Sequence, residues 1–99
     1  MRIISRAALK KFWLNRRYQD SEHALKSWYD EVKQAEWKTP QDVKNKYRHA
    51  SILGNNRIVF NIHGNTYRLV VAMNYDFGLC YIRFIGTHKQ YDEIDATTI

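Results

Sequence analysis

Five basic or aromatic side chains in the second half of the sequence could act together on a phosphate group. Arg68 and Arg83 lie inside two segments that alternate like β-strands, and His88, Lys89 and Tyr91 follow the second segment closely. A guanidinium group offers a planar fork of donors that matches phosphate oxygens. A histidine beside a lysine suits proton transfer, and a tyrosine can stack on a base or exchange a proton. These residue types favour chemistry at a phosphate.

The two arginines also have a purely structural interpretation. A guanidinium group among apolar neighbours is costly unless it is paired or reaches solvent. Arg68 and Arg83 could therefore extend from a sheet edge, or pair with a carboxylate such as Asp92 or Asp95. Spacing alone leaves both interpretations open.

His88 and Tyr91 have structural alternatives as well. A lone histidine after a strand is more often a capping or surface residue, and Tyr91 could pack in the core under a terminal helix. Both the catalytic and the structural roles remain open from the residue types.

Motifs for the commoner catalytic sites are absent from the sequence. Cys80 is the only cysteine, there is no glycine-rich phosphate loop or nucleophile elbow, and no carboxylate pair stands out. The four histidines are scattered along the chain: His23, His49, His63 and His88. We therefore expect no metal site and no cofactor.

The net charge of +6 comes entirely from the first half of the chain. Several cations precede the first carboxylate, Asp20, and those on the predicted first helix make a patch that could attract RNA phosphates or an acidic protein. A solvated helix face is the alternative. The residues of this patch that we assign to RNA binding are Arg6, Lys10, Lys11 and Arg17.

The first fifty residues have the periodicity of helices after one short strand. Arg2 to Ser5 is predicted as a strand, and Ser5 can cap a helix that runs to about Tyr18. A second helix is predicted from Asp20 or Ser21 to about Glu36, antiparallel to the first, and Thr39-Pro40 begins a short third helical stretch that reaches Tyr47. The apolar stripes of the two long helices are Leu9, Phe12 and Trp13, and Leu25, Trp28, Tyr29 and Val32.

From Ile52 the periodicity changes, and from Ile58 the apolar residues alternate as in strands. Turns at His63-Gly64-Asn65 and at Asp76-Phe77-Gly78 separate three strands, which predicts a three-stranded antiparallel meander. On this spacing Arg83 shares a face with Tyr81 and Ile85. Gly86 is expected to end the last strand, and Thr87 to cap a short C-terminal helix. The predicted fold is α+β, with the N-terminal strand and two antiparallel helices packed on the meander.

Composition bounds the class of protein. Ninety-nine residues with 44% hydrophobic side chains predict one folded domain over residues 1–99. One cysteine forms no internal disulfide, and neither a signal-peptide pattern nor a membrane-spanning apolar run is visible. A cytoplasmic protein without membrane attachment is expected.

Four motifs of the second half resemble the HigB-type toxins of the RelE and ParE superfamily. They are Arg57-Ile-Val-Phe-Asn-Ile, Gly64-Asn65-Thr-Tyr67-Arg68-Leu-Val-Val-Ala, Cys80-Tyr-Ile-Arg83 and Thr87-His88-Lys89-Gln-Tyr91-Asp92. The last motif is the most specific. The resemblance implies a RelE-like fold and a messenger-RNA interferase that cuts messages in the ribosomal A site. It also implies a HigA-type antitoxin, bound in a hetero-oligomer.

The same resemblance implies roles for individual residues. Arg68 matches the strand arginine that RelE-like toxins place at the scissile phosphate, and the segment from His88 through Lys89 to Tyr91 matches their catalytic end. Arg83 matches less closely. Arg57 and Asn61, both in the first motif, are assigned to RNA binding. Which residue is the general base and which the acid stays open, as do the codon preference and the cutting of free RNA.

Two other functions compete with this interpretation. A ParE-like gyrase poison shares the fold, although His88, Lys89 and Tyr91 argue against it. A noncatalytic RNA- or DNA-binding module would have the same basic and aromatic composition. Cleavage of translated messages would separate these alternatives.

Overall fold

The computed structural model describes all residues from 1 to 99. Five strands, four α-helices and one 3₁₀ segment follow each other along the chain. In order they are β1 (Arg2–Ile4), α1 (Arg6–Leu14), the 3₁₀ segment (Arg16–Ser21), α2 (Glu22–Gln34), α3 (Pro40–Lys46), β2 (Ser51–Ile52), β3 (Arg57–Ile62), β4 (Tyr67–Asn74), β5 (Leu79–Thr87) and α4 (His88–Tyr91). The predicted α+β class is confirmed.

The strands form one mixed sheet in the order β1-β5-β4-β3-β2. Strands β3, β4 and β5 pair antiparallel, so the predicted meander is confirmed. The sheet is wider than predicted, because β1 adds to β5 in parallel and the two-residue strand β2 adds to β3. The last strand also continues through Gly86 to Thr87 rather than ending at Gly86.

The two faces of the sheet have different coverings. On the first face, Phe60, Leu69 and Val71 join one core with the helices. On the second face, Val59 and Val70 form a smaller cluster with Ala96, against which Tyr91 packs. Helix α4 and the segment after it therefore cover part of the face opposite α1 and α2, which the sequence did not predict.

Helices α1 and α2 pack on the first face through the predicted stripes. Leu9, Leu25 and Val32 have no solvent exposure, and Trp13 and Trp28 are nearly buried. Deleting a buried side chain of this size costs about 2 to 5 kcal/mol of folding free energy. These helices give the sheet its main hydrophobic support.

Helix α1 is shorter than predicted. It ends at Leu14 rather than Tyr18, because Asn15 adopts extended backbone angles and its side chain accepts a hydrogen bond from the Arg17 amide at 2.9 Å. Tyr18 then stacks on Phe12, with ring centroids 4.4 Å apart. The 3₁₀ segment Arg16–Ser21 links α1 to α2, where the sequence predicted the end of the first helix and, almost directly after it, the start of the second.

Two of the predicted helix caps make side-chain hydrogen bonds to the helix backbone, and two do not. Thr39 and Thr87 both make complete capping boxes, with Asp42 and Gln90 respectively, as their sequence positions predicted. Ser5 occupies the first cap position without a side-chain hydrogen bond. Ser21 donates instead to the Tyr18 carbonyl oxygen at 2.6 Å.

A β-bulge interrupts the β4–β5 ladder. Val70 pairs with Phe84 and Val71 pairs with Ile82, which leaves Arg83 as the extra residue. The bulge breaks the alternation of sides, and Ile85 consequently packs on the first-face core. The prediction that Arg83 and Ile85 share a face is therefore wrong.

None of the helices is long and apolar enough to cross a membrane.

Candidate active site

Arg68 projects from the second face of the sheet, near the start of the central strand β4. Its strand neighbours Tyr67 and Leu69 belong to the first-face core, so the alternation of β4 directs Arg68 to the opposite side. Across the ladders it lies opposite Asn61 on β3 and Gly86 on β5. Arg68 is therefore flanked on both sides by short side chains or none.

Only one nitrogen of the Arg68 guanidinium forms hydrogen bonds within the protein. Its Nη1 donates to the Asn65 carbonyl oxygen at 3.1 Å and, at 3.4 Å, to that of Tyr67. Neither Nε nor Nη2 has a protein acceptor, and no carboxylate pairs with the group. Asp92, a proposed alternative partner, is bonded to His88 instead. Donors therefore remain for an anion.

Gly86 keeps the space beside Arg68 free for α4. A Cβ atom built on Gly86 would lie 2.6 Å from the Gln90 Oε1 and 2.6 Å from the Phe84 Cζ. Real Cβ contacts do not come this close, so a larger residue would displace both side chains. Gly86 thus allows the first turn of α4 to fold back over β5.

The capping box of Thr87 fixes the start of α4. The Thr87 amide donates to the Gln90 Oε1 at 2.9 Å, and the Gln90 amide donates to the Thr87 hydroxyl oxygen at 3.1 Å. The Gln90 Nε2 also reaches the Tyr18 hydroxyl at 3.4 Å. Helix α4 is therefore held both by β5 and by the 3₁₀ segment.

His88 and Lys89 occupy the exposed first turn of α4. The His88 Nδ1 lies 3.2 Å from the Asp92 Oδ2, one helical turn later. A carboxylate at Nδ1 favours the tautomer that carries the proton there and leaves Nε2 as an acceptor. Lys89 makes no ion pair. The pair His88–Asp92 thus presents a proton acceptor at the start of α4, two residues along the chain from the Gly86 that pairs with Arg68.

Tyr91 lies in the same helix but faces the protein. Its ring packs on Val59 and Val70 in the second-face cluster, and it is half-buried. This contact is the core-packing alternative considered for Tyr91 from the sequence. Its hydroxyl group has no hydrogen-bond partner within the protein.

The 3₁₀ segment supports the site from the other side of the sheet. The Tyr67 hydroxyl donates a short hydrogen bond to the Asp20 carboxylate, and the His63 Nε2 lies 3.7 Å from the same carboxylate. Burial, followed by the hydrogen bond to Asp20, raises the pKa of Tyr67 to about 12. The residue before Arg68 is therefore anchored as a neutral phenol.

The structure does not bring Arg83 to Arg68. Arg83 lies three residues from Gly86 along β5, which corresponds to about 10 Å of extended strand. Its guanidinium carbon lies over the Tyr81 ring, 5.4 Å from the centroid. This contact explains how an arginine is accommodated among apolar neighbours without a carboxylate.

Arg57 and Asn61, the residues of the first motif that were assigned to RNA binding, both lie on the second face. They differ in how far their polar groups are already bonded within the protein. Arg57 donates to the backbone oxygen of Ile99 from Nε at 3.2 Å and from Nη2 at 2.5 Å, and to that of Asn55 from Nη1 at 3.0 Å. Each of its three guanidinium nitrogens therefore donates within the protein. Asn61 is exposed beside Arg68, and its side chain makes no hydrogen bond.

The basic patch of α1 lies apart from Arg68. Helix α1 packs on the first face of the sheet, whereas Arg68 projects from the second. The Arg6 guanidinium lies over the rings of Trp13 and Tyr29, 5.3 and 5.7 Å from their centroids. The other members of the patch, Lys10, Lys11 and Arg17, are exposed and make no ion pair.

Sequence reasoning missed Gly86 and Gln90 as parts of the site. The Thr87-x-x-Gln90 spacing is a capping-box pattern, so the role of Gln90 was readable in principle. That of Gly86 depends on its register with Arg68, which the sequence does not display. Three or more side chains able to hold a metal ion do not come together. Cys80 is buried, and burial raises the pKa of its thiol to about 12.

The fold is compatible with that of RelE-like toxins. The family model of the HigB toxins, described as the RelE-like toxic component of a toxin-antitoxin system, matches residues 21–94. The match takes in well over half of the sequence, and the chain belongs to the HigB toxin family.

Curated relatives agree with the family assignment. The chain is 26% identical over 102 residues to the mRNA interferase HigB of Escherichia coli O6:H1, which covers 95% of this chain and 91% of that protein. It is 45% identical over 38 residues to the mRNA interferase toxin HigB of Escherichia coli K12, covering 38% of this chain and 36% of that protein. The mRNA interferase HigB of Shigella flexneri matches to the same extent.

Proposed function

We propose that this chain is an endoribonuclease that cuts messenger RNA on the ribosome and thereby stops translation. The observation that carries the proposal is Arg68, whose Nε and Nη2 have no protein acceptor and which lies beside the start of α4 with its His88–Asp92 pair. The name mRNA interferase, borne by the relatives from Escherichia coli, supports the same reaction.

The proposed reaction is attack of a ribose 2′-oxygen on the adjacent phosphorus. His88 Nε2 accepts the 2′-hydroxyl proton, while Asp92 holds the proton on Nδ1. As the bond from O2′ to phosphorus forms, the bond to the 5′-oxygen breaks. The Arg68 guanidinium stabilises the charge on the phosphorane oxygens, and Lys89 adds a cation beside them. The products are a 2′,3′-cyclic phosphate and a 5′-hydroxyl end, whose proton comes from water or from Lys89.

The proposed partners are the ribosome with its message and a cognate antitoxin of the HigA type. The family description, toxic component of a toxin-antitoxin system, supports the antitoxin. The exposed cations of α1 would suit either ribosomal RNA or an acidic antitoxin segment, since both are attracted to a positive surface. Such a toxin would work in the cytoplasm, where messages are translated.

End mapping tests the proposal directly. Messenger RNA is isolated from cells expressing the chain, and its new 5′ ends are ligated before and after treatment with polynucleotide kinase. We expect ends within translated codons that ligate only after phosphorylation. If translation stops with messages intact, or if the ends already carry 5′-phosphates, the proposed reaction is wrong.

A further inference from the structure

A cleft with a basic wall opens next to Arg68, between the loop that follows α3 and the turn between β3 and β4. Its volume is about 680 Å³. The side chains that matter for its chemistry are Lys46, Tyr47, Arg48, His49, Asn61 and Asn65. None of these residues was assigned to catalysis, and only Asn61 had been assigned to RNA binding.

The charge of the cleft is entirely positive. No carboxylate lines it, and neither Arg48 nor His49 makes a side-chain hydrogen bond or ion pair. Glu31, which is outside the lining, accepts from the Tyr47 hydroxyl at 2.9 Å and lies 3.6 Å from the Lys46 Nζ. Arg48 therefore keeps its full set of donors for a ligand from solution, and that ligand should be anionic.

The backbone that carries these side chains is held in place. The Lys44 Nζ donates to the carbonyl oxygens of Arg48 at 2.7 Å and of Ala50 at 2.8 Å. The Tyr47 ring packs edge-on against Phe60, with centroids 5.1 Å apart. Because the loop is preorganised, an ion bound by Arg48 needs to order only one flexible side chain.

Two residues that line the cleft are direct neighbours of Arg68. Asn61 lines the cleft and pairs directly with Arg68 across β3 and β4. Asn65 lines it as well, and its carbonyl oxygen accepts the Arg68 Nη1 at 3.1 Å. A strand of nucleic acid with one phosphate at Arg68 would therefore enter this cleft with its neighbouring nucleotides.

We propose that the cleft binds the RNA segment that flanks the phosphate held by Arg68. Arg48 and His49 contact a backbone phosphate, and the Asn61 and Asn65 amides hydrogen-bond to base edges or 2′-hydroxyl groups. The inference rests on the proposed function for its substrate. Single-stranded RNA fits better than an acidic protein segment, because the cleft carries cationic and amide side chains, whereas its apolar residues Ala50 and Phe60 are only 4% and 1% exposed and give a helix little to bind.

The test is binding of a fluorescein-labelled single-stranded RNA octamer with 2′-O-methyl riboses, which cannot be cut by the proposed reaction. Fluorescence anisotropy is measured across a salt series for the wild type, for Arg48→Gln, and for Lys33→Gln as a control. The control removes one exposed positive charge that does not line this cleft. Circular dichroism establishes that both variants are folded.

Arg48→Gln should bind about tenfold more weakly, as for loss of a hydrogen bond to a charged group. Its plot of log K against log salt should be less steep by about 0.7, the value for one phosphate contact on single strands. Lys33→Gln should bind like the wild type. Equal binding by wild type and Arg48→Gln, an equal loss in both variants, or no binding by the wild type overturns the proposal.

Two further results distinguish RNA binding by the cleft from antitoxin binding and from the endoribonuclease activity. Weaker binding of Arg48→Gln to the antitoxin, with unchanged binding to RNA, would identify the cleft as a protein-binding surface and overturn the RNA assignment. Since the octamer is never cut, the assay is independent of cleavage. Intact messages in cells together with the expected loss for Arg48→Gln would refute the endoribonuclease and leave RNA binding by the cleft standing.

Discussion

Arg68 on β4 and Gly86 on β5 face each other across the antiparallel ladder, and the side chain that Gly86 lacks is replaced by Gln90 from α4. The arginine thus lies beside the helix that carries His88 and Lys89. In the proposed reaction, Arg68 binds the phosphate and the His88 imidazole, from the next element of the chain, accepts the proton.

Arg68→Ala should reduce RNA cutting by about 10²-fold or more, because a preorganised donor to transition-state charge is lost. Arg83→Ala is the matched control, since it also removes one guanidinium from the sheet but lies over Tyr81 on the bulge. Cleavage rates are measured on programmed ribosomes at equal protein concentration. Similar losses in the two variants would contradict the assignment of Arg68.

Gly86→Ala should lower the rate of RNA cutting strongly, while the free energy of unfolding falls only moderately. The added Cβ atom would push away the Gln90 and Phe84 side chains, which releases the capping box of α4 at a cost of about 1 to 3 kcal/mol. Gly54→Ala is the control, because nothing lies within 4 Å of a Cβ atom at that position. Denaturant unfolding and cleavage are measured on both proteins. Full activity in Gly86→Ala would show that the position of α4 is not critical.

Tyr67 should make folding stability depend on alkaline pH. Its pKa is raised to about 12 by burial and by the bond to Asp20, whereas an unfolded tyrosine ionises near 10. The folded state therefore holds the proton more tightly, and the Tyr67 contribution is present below pH 10 and lost as the pH rises from about 10 to 12.

Tyr67→Phe tests this expectation through urea unfolding at pH 8, 10 and 11. The wild type should be more stable than the variant at pH 8, by about 1.5 to 3 kcal/mol for a hydrogen bond to a charged group. The difference should shrink at the two higher values. A difference that stays constant would mean that the phenol is not protected in the folded state.

The basic patch on α1 should act in docking rather than in chemistry. Changing Lys10, Lys11 and Arg17 together to Glu should weaken ribosome association and flatten its dependence on salt, because these exposed cations act through screened attraction. The fold should survive, since Leu9 and Trp13 still supply the buried stripe. Binding to ribosomes across a salt series decides the question, and unchanged affinity and slope would leave the patch a solvated face.

The sequence predicted the elements with strong local signals. The stripes around Leu9 and Leu25, the capping Thr39 and Thr87, and the turn at Asp76-Phe77-Gly78 each depend on a few adjacent residues. These features follow from backbone and side-chain preferences that act over one or two turns, so they can be read directly.

Features that depend on tertiary contacts were missed or misplaced. The end of α1 is set partly by Tyr18 stacking on Phe12. The face of the sheet on which Ile85 packs is set by a β-bulge, which a simple alternation of residues cannot show. The two-residue strand β2 has too few residues for any periodicity. In the site, the residue types around Arg68 could be identified from the sequence. The pairing of Arg68 with Gly86 and the neighbouring cleft could not, because both depend on the register in which the strands pair.

The parallel pairing of β1 with β5 has a consequence for the order of folding. Its partners, Arg2 with Leu79 and Ile4 with Tyr81, are nearly the whole chain apart, whereas β3, β4 and β5 are joined by short turns. Closing so long a loop carries an entropic cost that local hairpins avoid, which raises contact order and slows the step. During synthesis, the first strand made must wait for the last strand of the sheet. The Arg68–Gly86 hairpin can form before the edge of the sheet is complete.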